Sequence, residues 1–308
     1  MSDEPLPILE SQVQSPAGRL HCVALAPVGP ARARLLIVHG YGEHGGRYSQ
    51  FMRWLAARGI ASEAIDLRGH GRSPGRRGFV VRWDEYLDDL QAFVDRDRGE
   101  SDAAHSPLFV LGHSHGGLIV AIAGETEIFQ KRGVRGCILA SPYLGTRVVT
   151  PWYKRFVGTV ANRFMPHLRV PTGLRPQWLT RDESMREQDL LDPLMNRIAT
   201  PRWYFTTLAM QARSIDDAPA FTLPLLCLIG ADDVVADPLT LANFFERAGS
   251  ADKSHYVYPT CAHELFRERS REVVYADVLR WINARTPAPS SSSNRQGPAA
   301  SSPRSSPE

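Results

Sequence analysis

One serine sits in a setting that suits nucleophilic catalysis. In "VLGHSHGGLIVA", Ser114 stands between His113 and His115, with glycines at Gly112, Gly116 and Gly117. Small residues two places before and two places after a serine let the chain turn sharply from strand to helix. The strain lifts the hydroxyl clear of the sheet. The helix that follows points its positive N-terminal end at an anion developing there. G-x-S-x-G is a weak signal by itself, but "PLFVL" before it and a helical pattern after it supply the required context. A serine hydroxyl also needs a base within hydrogen-bond reach. His113 and His115 are sequence neighbours in a tight turn, so their rings leave the backbone in other directions. His115 offers its backbone N–H as one oxyanion donor, and its ring is read as filling space at the helix start. The base and its supporting acid must come from later in the chain.

The elements that must position them follow from the apolar pattern. Short β-rich runs ("RARLLIVHG", "IASEAIDLRG", "PLFVLG", "VRGCILAS", "PLLCLIG", "HYVYP") alternate with helix-period segments such as "WDEYLDDLQAFVDRD" and "SREVVYADVLRWINA". Such alternation predicts a mostly parallel sheet covered by helices on both faces. The early run "LESQVQSPAGRLHCVALAP" reads as an edge hairpin. Ligands of open α/β sheets lie at the carboxyl ends of the strands. "GADDVVADP" sits at one such end and supplies three acids. Asp237 precedes Pro238 and is read as a helix cap. Of the other two, Asp233 is preferred to Asp232 by its offset from Gly230. "PTCAHELFRE" then supplies His263 on a short loop, whereas His255 lies inside a strand. Serine, acid and histidine thus arrive in a workable order, with Asp233 holding the tautomer of the base His263. The loop "HGYGEHGGRY" offers a second oxyanion donor, the N–H of Tyr41.

The alternation breaks over 142–217, which is read as a helical cap inserted into a core made of 1–141 and 218–285. Within it Trp152, Phe156, Val160 and Phe164 recur every fourth residue, the stripe of an amphipathic helix. Its expected role is to pack on the body, the alternative being a lid that touches lipid. Residues 286–308 are Ser/Pro-rich and are expected to form a disordered tail. A net charge of +3 without a basic stripe excludes a nucleic-acid footprint. Four cysteines form no C-x-x-C pair, which suits a reduced, cytoplasmic setting. The acidic N-terminus lacks a signal-peptide core, and no apolar run reaches membrane-spanning length.

Taken together, "HGYGEHGGRY", "DLRGHGRSPGRRG", "GHSHGG", "LLDPL", "GADDVVADP" and "AHELFRE" resemble the monoacylglycerol lipase/lysophospholipase group of α/β hydrolases, whose wider relatives are the S33-type serine hydrolases. The resemblance runs from about residue 15 to about residue 283. It implies an α/β-hydrolase fold and a carboxylic ester hydrolase without metal or organic cofactor. A cap would cover an acyl channel, and the protein would be cytosolic or peripherally bound to a membrane. The family's nucleophile, acid and base map to Ser114, Asp233 and His263, and its oxyanion donors to the N–H groups of Tyr41 and His115. Glu43 and Arg47 match loop positions at the polar end of the site, or else they order the loop by pairing with each other. His115 departs from the Met, Leu or Gln common after the nucleophile, and so bears on the pocket floor.

The expected function is hydrolysis of monoacylglycerol or lysophospholipid esters through an acyl-enzyme on Ser114. Alternatives are a broad-specificity carboxylesterase or an acyltransferase. A prolyl aminopeptidase would need acids in the cap, which has few, and an intact serine, acid and histidine argue against a silent lipid- or protein-binding scaffold.

Overall fold

The computed structural model describes residues 6–96, 106–148 and 150–287; the region read as a tail lies, from residue 288 on, outside them. The strands of the main sheet are β1 (Leu9–Ser15), β2 (Gly18–Leu25), β3 (Ala33–Val38), β4 (Ile60–Ile65), β5 (Leu108–His113) and β6 (Val134–Ala140), followed by β9 (Leu225–Gly230) and β10 (Lys253–Tyr258). They lie in the order β1-β2-β4-β3-β5-β6-β9-β10. All pairs from β4 to β10 are parallel, while β1 and β2 form the edge hairpin and β2 runs antiparallel to β4. β5 is buried along its whole length. That is why its sequence shows a continuous apolar run rather than alternation.

Helices α1 (Ser49–Ala56), α2 (Glu85–Arg96), α3 (His115–Gly124), α8 (Pro238–Arg247) and α9 (Arg271–Ala284) cover the sheet. Two buried clusters result. One places Tyr86, Phe93 and Ile119 of α2 and α3 with Val110 and Leu139. The other packs Phe51, Leu55, Tyr275 and Trp281 of α1 and α9 against Leu35, Leu111 and Leu228. Burying an apolar side chain of this size contributes about 1.5–3 kcal/mol, so both faces of the sheet are firmly held. All four cysteines are free and buried.

Between β6 and β9 the chain leaves the sheet and forms α4 (Trp152–Phe164), the two-residue strand β7 (Val170–Pro171), α5 (Pro176–Leu179), α6 (Glu183–Leu191), β8 (Ile198–Ala199) and α7 (Pro201–Asp216). β7 and β8 pair antiparallel. α7 begins with a side-chain cap, Thr200 accepting from the Trp203 N–H, with Pro201 at the first helical position. The α4 stripe does not pack on the body, contrary to the first expectation. Trp152, Phe156 and Phe164 are 80%, 66% and 74% exposed, and no residue of α4 is buried. Periodicity reports that a helix has an apolar side, not which way that side faces.

Candidate active site

The site lies at the carboxyl ends of β3, β5, β9 and β10. β5 ends at His113, and Ser114 turns the chain into α3 with φ 51° and ψ −116°. A non-glycine residue there costs on the order of 1–3 kcal/mol. The turn closes only because of its glycines. A Cβ on Gly112 would stand 2.4 Å from the Gly116 carbonyl oxygen, and one on Gly116 would stand 2.2 Å from that of Val38. Ser114 N–H is anchored on the Ala140 carbonyl of the neighbouring strand.

His263, on the loop after β10, lies 2.8 Å through Nε2 from the Ser114 hydroxyl and 2.7 Å through Nδ1 from Asp233 Oδ2. All three side chains are buried. Asp233 Oδ1 accepts from the N–H groups of Val235 and Ala236 at 2.8 and 3.0 Å, which fixes the carboxylate. Burial alone would raise the Asp233 pKa; the imidazole charge, with these hydrogen bonds, outweighs it and holds the carboxyl below its ordinary value. Burial would likewise lower the pKa of His263, but the adjacent Asp233 carboxylate overcomes it and the pKa is raised. The imidazole is therefore primed to take a proton and to carry it.

The rival residues are occupied elsewhere. Asp232 forms a partly exposed ion pair with Arg181 at 2.5 Å, and Asp237 caps α8. His255 sits in β10. His113 lies 3.1 Å through Nδ1 from the Ala140 carbonyl. The His115 ring is fully buried among Tyr41, Trp83, Tyr86 and Trp203. Burial, then the neighbouring His70 and His39, holds it well below the ordinary histidine pKa. It is a neutral packing group rather than an exposed floor. The N–H groups of Tyr41 and His115 have no acceptor among the described residues, as an oxyanion pair requires.

Glu43 and Arg47 do not offer free polar ends. Arg47 pairs with Glu43 at 2.7 Å, with Asp189 at 2.6 Å and with Glu264 at 2.8 Å. Glu43 Oε1 also accepts from the Gly40 N–H at 3.1 Å and stands 3.3 Å from His113 Nε2. Burial would raise the Glu43 pKa; Arg47, then His113, more than offsets this and holds it well below the ordinary range. These contacts tie Glu43 and Arg47 to the loop and to each other. Sequence reading missed the partners Asp189, Glu264 and Arg267, which pairs with Asp189 at 2.8 Å. Glu264 could have been suspected from its place beside His263. Asp189, on α6, carries no local signal.

The sequence model of the family described as "Serine aminopeptidase, S33" matches residues 29–270. Phospholipase YtpA of Bacillus subtilis is 32% identical over 244 residues, covering 79% of this chain and 92% of that one. An uncharacterized abhydrolase domain-containing protein of Dictyostelium discoideum is 29% identical over 272 residues, 85% of this chain but only 28% of that longer one. Among solved structures, the monoacylglycerol lipase of Paleococcus ferrophilus superposes with a TM-score of 0.76 at 26% identity, covering 86% of this chain and 99% of that one. With this sheet order and this helix placement, the chain belongs to the S33-type serine hydrolases of the α/β-hydrolase fold, within the monoacylglycerol lipase/lysophospholipase group.

Proposed function

We propose that the protein hydrolyses monoacylglycerol or lysophospholipid esters through an acyl-enzyme on Ser114. One observation carries the reading: the hydrogen-bonded run from Asp233 through His263 to a strained, sheet-top Ser114. Similarity to a phospholipase and to a monoacylglycerol lipase supports the substrate class. Ser114 Oγ attacks the ester carbonyl while His263 Nε2 takes its proton. The N–H groups of Tyr41 and His115 hold the tetrahedral oxyanion, a contribution of about 3–4 kcal/mol per donor at such sites. Asp233 stabilises the imidazolium without taking a proton itself. His263 then protonates the leaving alcohol. Water, deprotonated by the same imidazole, adds to the acyl carbon and releases the fatty acid and the free serine.

The exposed face of α4 supports contact with a lipid surface. Trp152, Phe156, Val157 and Phe164 stand out beside Lys154, Arg155 and Arg163, and residues 142–181 contain no acidic residue. Apolar side chains rimmed by cations suit the interface of an anionic membrane. No helix among the described residues is long and apolar enough to cross one, so the contact would be peripheral. The buried free thiols suit the cytoplasmic setting expected from sequence.

Ser114→Ala should lower hydrolysis of a monoacylglycerol, a lysophospholipid and a short p-nitrophenyl ester by at least about 10³-fold. It should also abolish labelling by a fluorophosphonate and leave the circular dichroism spectrum unchanged. Turnover near the parent's would sink the reading.

A further inference from the structure

The region between β6 and β9 holds the loop after β3 at two places. His44 pairs with Asp192 at 2.7 Å and Arg47 with Asp189 at 2.6 Å, while segment 196–203 meets Tyr41 and Gly42 and, through Thr200, the loop after β4. Asn196 N–H donates to the Gly42 carbonyl at 2.8 Å. The Tyr41 hydroxyl donates to the Ile198 carbonyl at 2.6 Å, and the Thr200 hydroxyl to the Gly78 carbonyl at 2.6 Å. The Tyr41 ring lies against the indole of Trp203, with centroids 3.7 Å apart. This closeness is built into the sequence. A Cβ on Gly42 (φ +83°) would come within 2.5 Å of the Asn196 carbonyl oxygen. One on Gly78 (φ +66°) would meet Tyr41 Oη at 2.7 Å and the Ile198 carbonyl oxygen at 2.8 Å.

Trp203 also reaches the other side of the site. Its ring centroid is 5.4 Å from that of His115, whose ring lies 6.1 Å from that of Tyr41. Neither His115 nitrogen has a hydrogen-bond partner among the described residues, so packing against the surrounding rings holds it in place. The two residues that offer backbone N–H groups to the oxyanion are therefore wedged against one indole, and that indole belongs to the inserted region. Glu43 fixes the Gly40 end of the loop and the His44–Asp192 pair its far end; between them, the Tyr41 side chain and the Asn196 N–H hold Tyr41 and Gly42.

We infer that the Tyr41 side chain is a positioning residue: through the Ile198 carbonyl and Trp203 it ties the oxyanion loop to the inserted region, so the Tyr41 N–H is aimed only while segment 196–203 is seated. This rests on the esterase reading above. The physical reason is tolerance. A donor displaced by about 1 Å forfeits much of its value in the transition state while ground-state binding barely changes.

The test compares the full chain with Tyr41→Phe, which removes only the hydroxyl, and with Trp203→Leu. Three quantities are measured: steady-state ester hydrolysis, affinity for an alkyl trifluoromethyl ketone, and amide hydrogen exchange of residues 40–43. The ketone adds to Ser114 and places a negative oxygen where the oxyanion forms. Tyr41→Phe should lower kcat about ten-fold with KM within about two-fold, and weaken ketone binding by the same factor. It should also speed exchange over 40–43 while the melting temperature stays near the parent's. Trp203→Leu should move all three readouts the same way. The double variant should lose less than the product of the single losses, because both act through one link. Unchanged exchange in Tyr41→Phe overturns the inference, as does a kcat loss without a matching loss of ketone affinity, or faster exchange with normal kcat. A parent protein that neither turns over esters nor binds the ketone would refute the esterase reading. The exchange rates would still decide whether Tyr41 ties the loop.

Discussion

Ser114 shows what a single residue contributes and what it needs. Its hydroxyl is placed by backbone strain, and in the proposed mechanism its reactivity depends on His263 and on the carboxylate behind it. Asp233 and Asp232 are adjacent and chemically identical, yet only Asp233 is buried against the imidazole, at 2.7 Å. Asp233→Asn should lower kcat by about 10³–10⁴-fold, because the amide no longer holds the productive tautomer. Asp232→Asn, which removes a partly exposed ion pair, should leave kcat within about two-fold. Activity as a function of pH adds a second readout. The proposed base, His263, would work in its neutral form, and its folded pKa is raised. The acid limb of kcat/KM should therefore lie above the ordinary histidine value of about 6.5. Equal kcat in the two Asn variants would contradict this assignment. The offset from Gly230 made Asp233 legible in the sequence. The pairing of Glu43 with Arg47 was legible as one of two readings, but its extension to Asp189 and Glu264 was not, because a buried ion cluster has no local signature.

At the scale of elements, the core strands and helices could be read because their apolar runs and periods are set by burial on the sheet. The inserted region was legible as a break in the alternation, and α4 as a helix, but its orientation was not. A stripe of Trp152, Phe156 and Phe164 looks the same in sequence whether it faces core or solvent. Here it faces solvent, and the lipid contact proposed for it is open to a direct test. Replacing Trp152, Phe156 and Phe164 together by Ser should lower turnover of monoacylglycerol carried in anionic vesicles about ten-fold or more. Turnover of water-soluble p-nitrophenyl acetate should stay within about two-fold. Vesicle turnover equal to the parent's would remove the lipid-facing role. The same element should tolerate the change structurally, because exposed substitutions usually alter stability by no more than about 0.5 kcal/mol.

Across the whole molecule, one group outside the site sets an expectation for stability. Glu125 ends α3 with both carboxylate oxygens buried and without a hydrogen-bond partner among the described residues. Burial, then the Asp217 charge, pushes its pKa up to about 8. Between the unfolded value near 4.5 and about pH 8 the folded chain binds more protons than the unfolded one. Its stability should therefore fall as pH rises through that window. Glu125→Gln should remove that slope, gaining on the order of a few kcal/mol at pH 8 to 9 and little near pH 4.5. Chemical denaturation at the two pH values measures the difference; an unchanged slope would show that Glu125 stays charged in the fold.

The amino-acid sequence by itself determined the alternating core, the elbow at Ser114 and the order of Ser114, Asp233 and His263. Each of these is written in local pattern: strand runs, small residues around a turn, a residue's offset from a strand end. Tertiary structure alone decided that Arg47 belongs to a buried ion cluster, that the His115 ring is a neutral packing group, that α4 faces solvent, and that Trp203 reaches the oxyanion loop. Those outcomes depend on contacts between residues tens to hundreds of positions apart, such as Arg47 with Glu264 and Tyr41 with Ile198. Burial and pairing energies act across space, so no spacing along the chain records them.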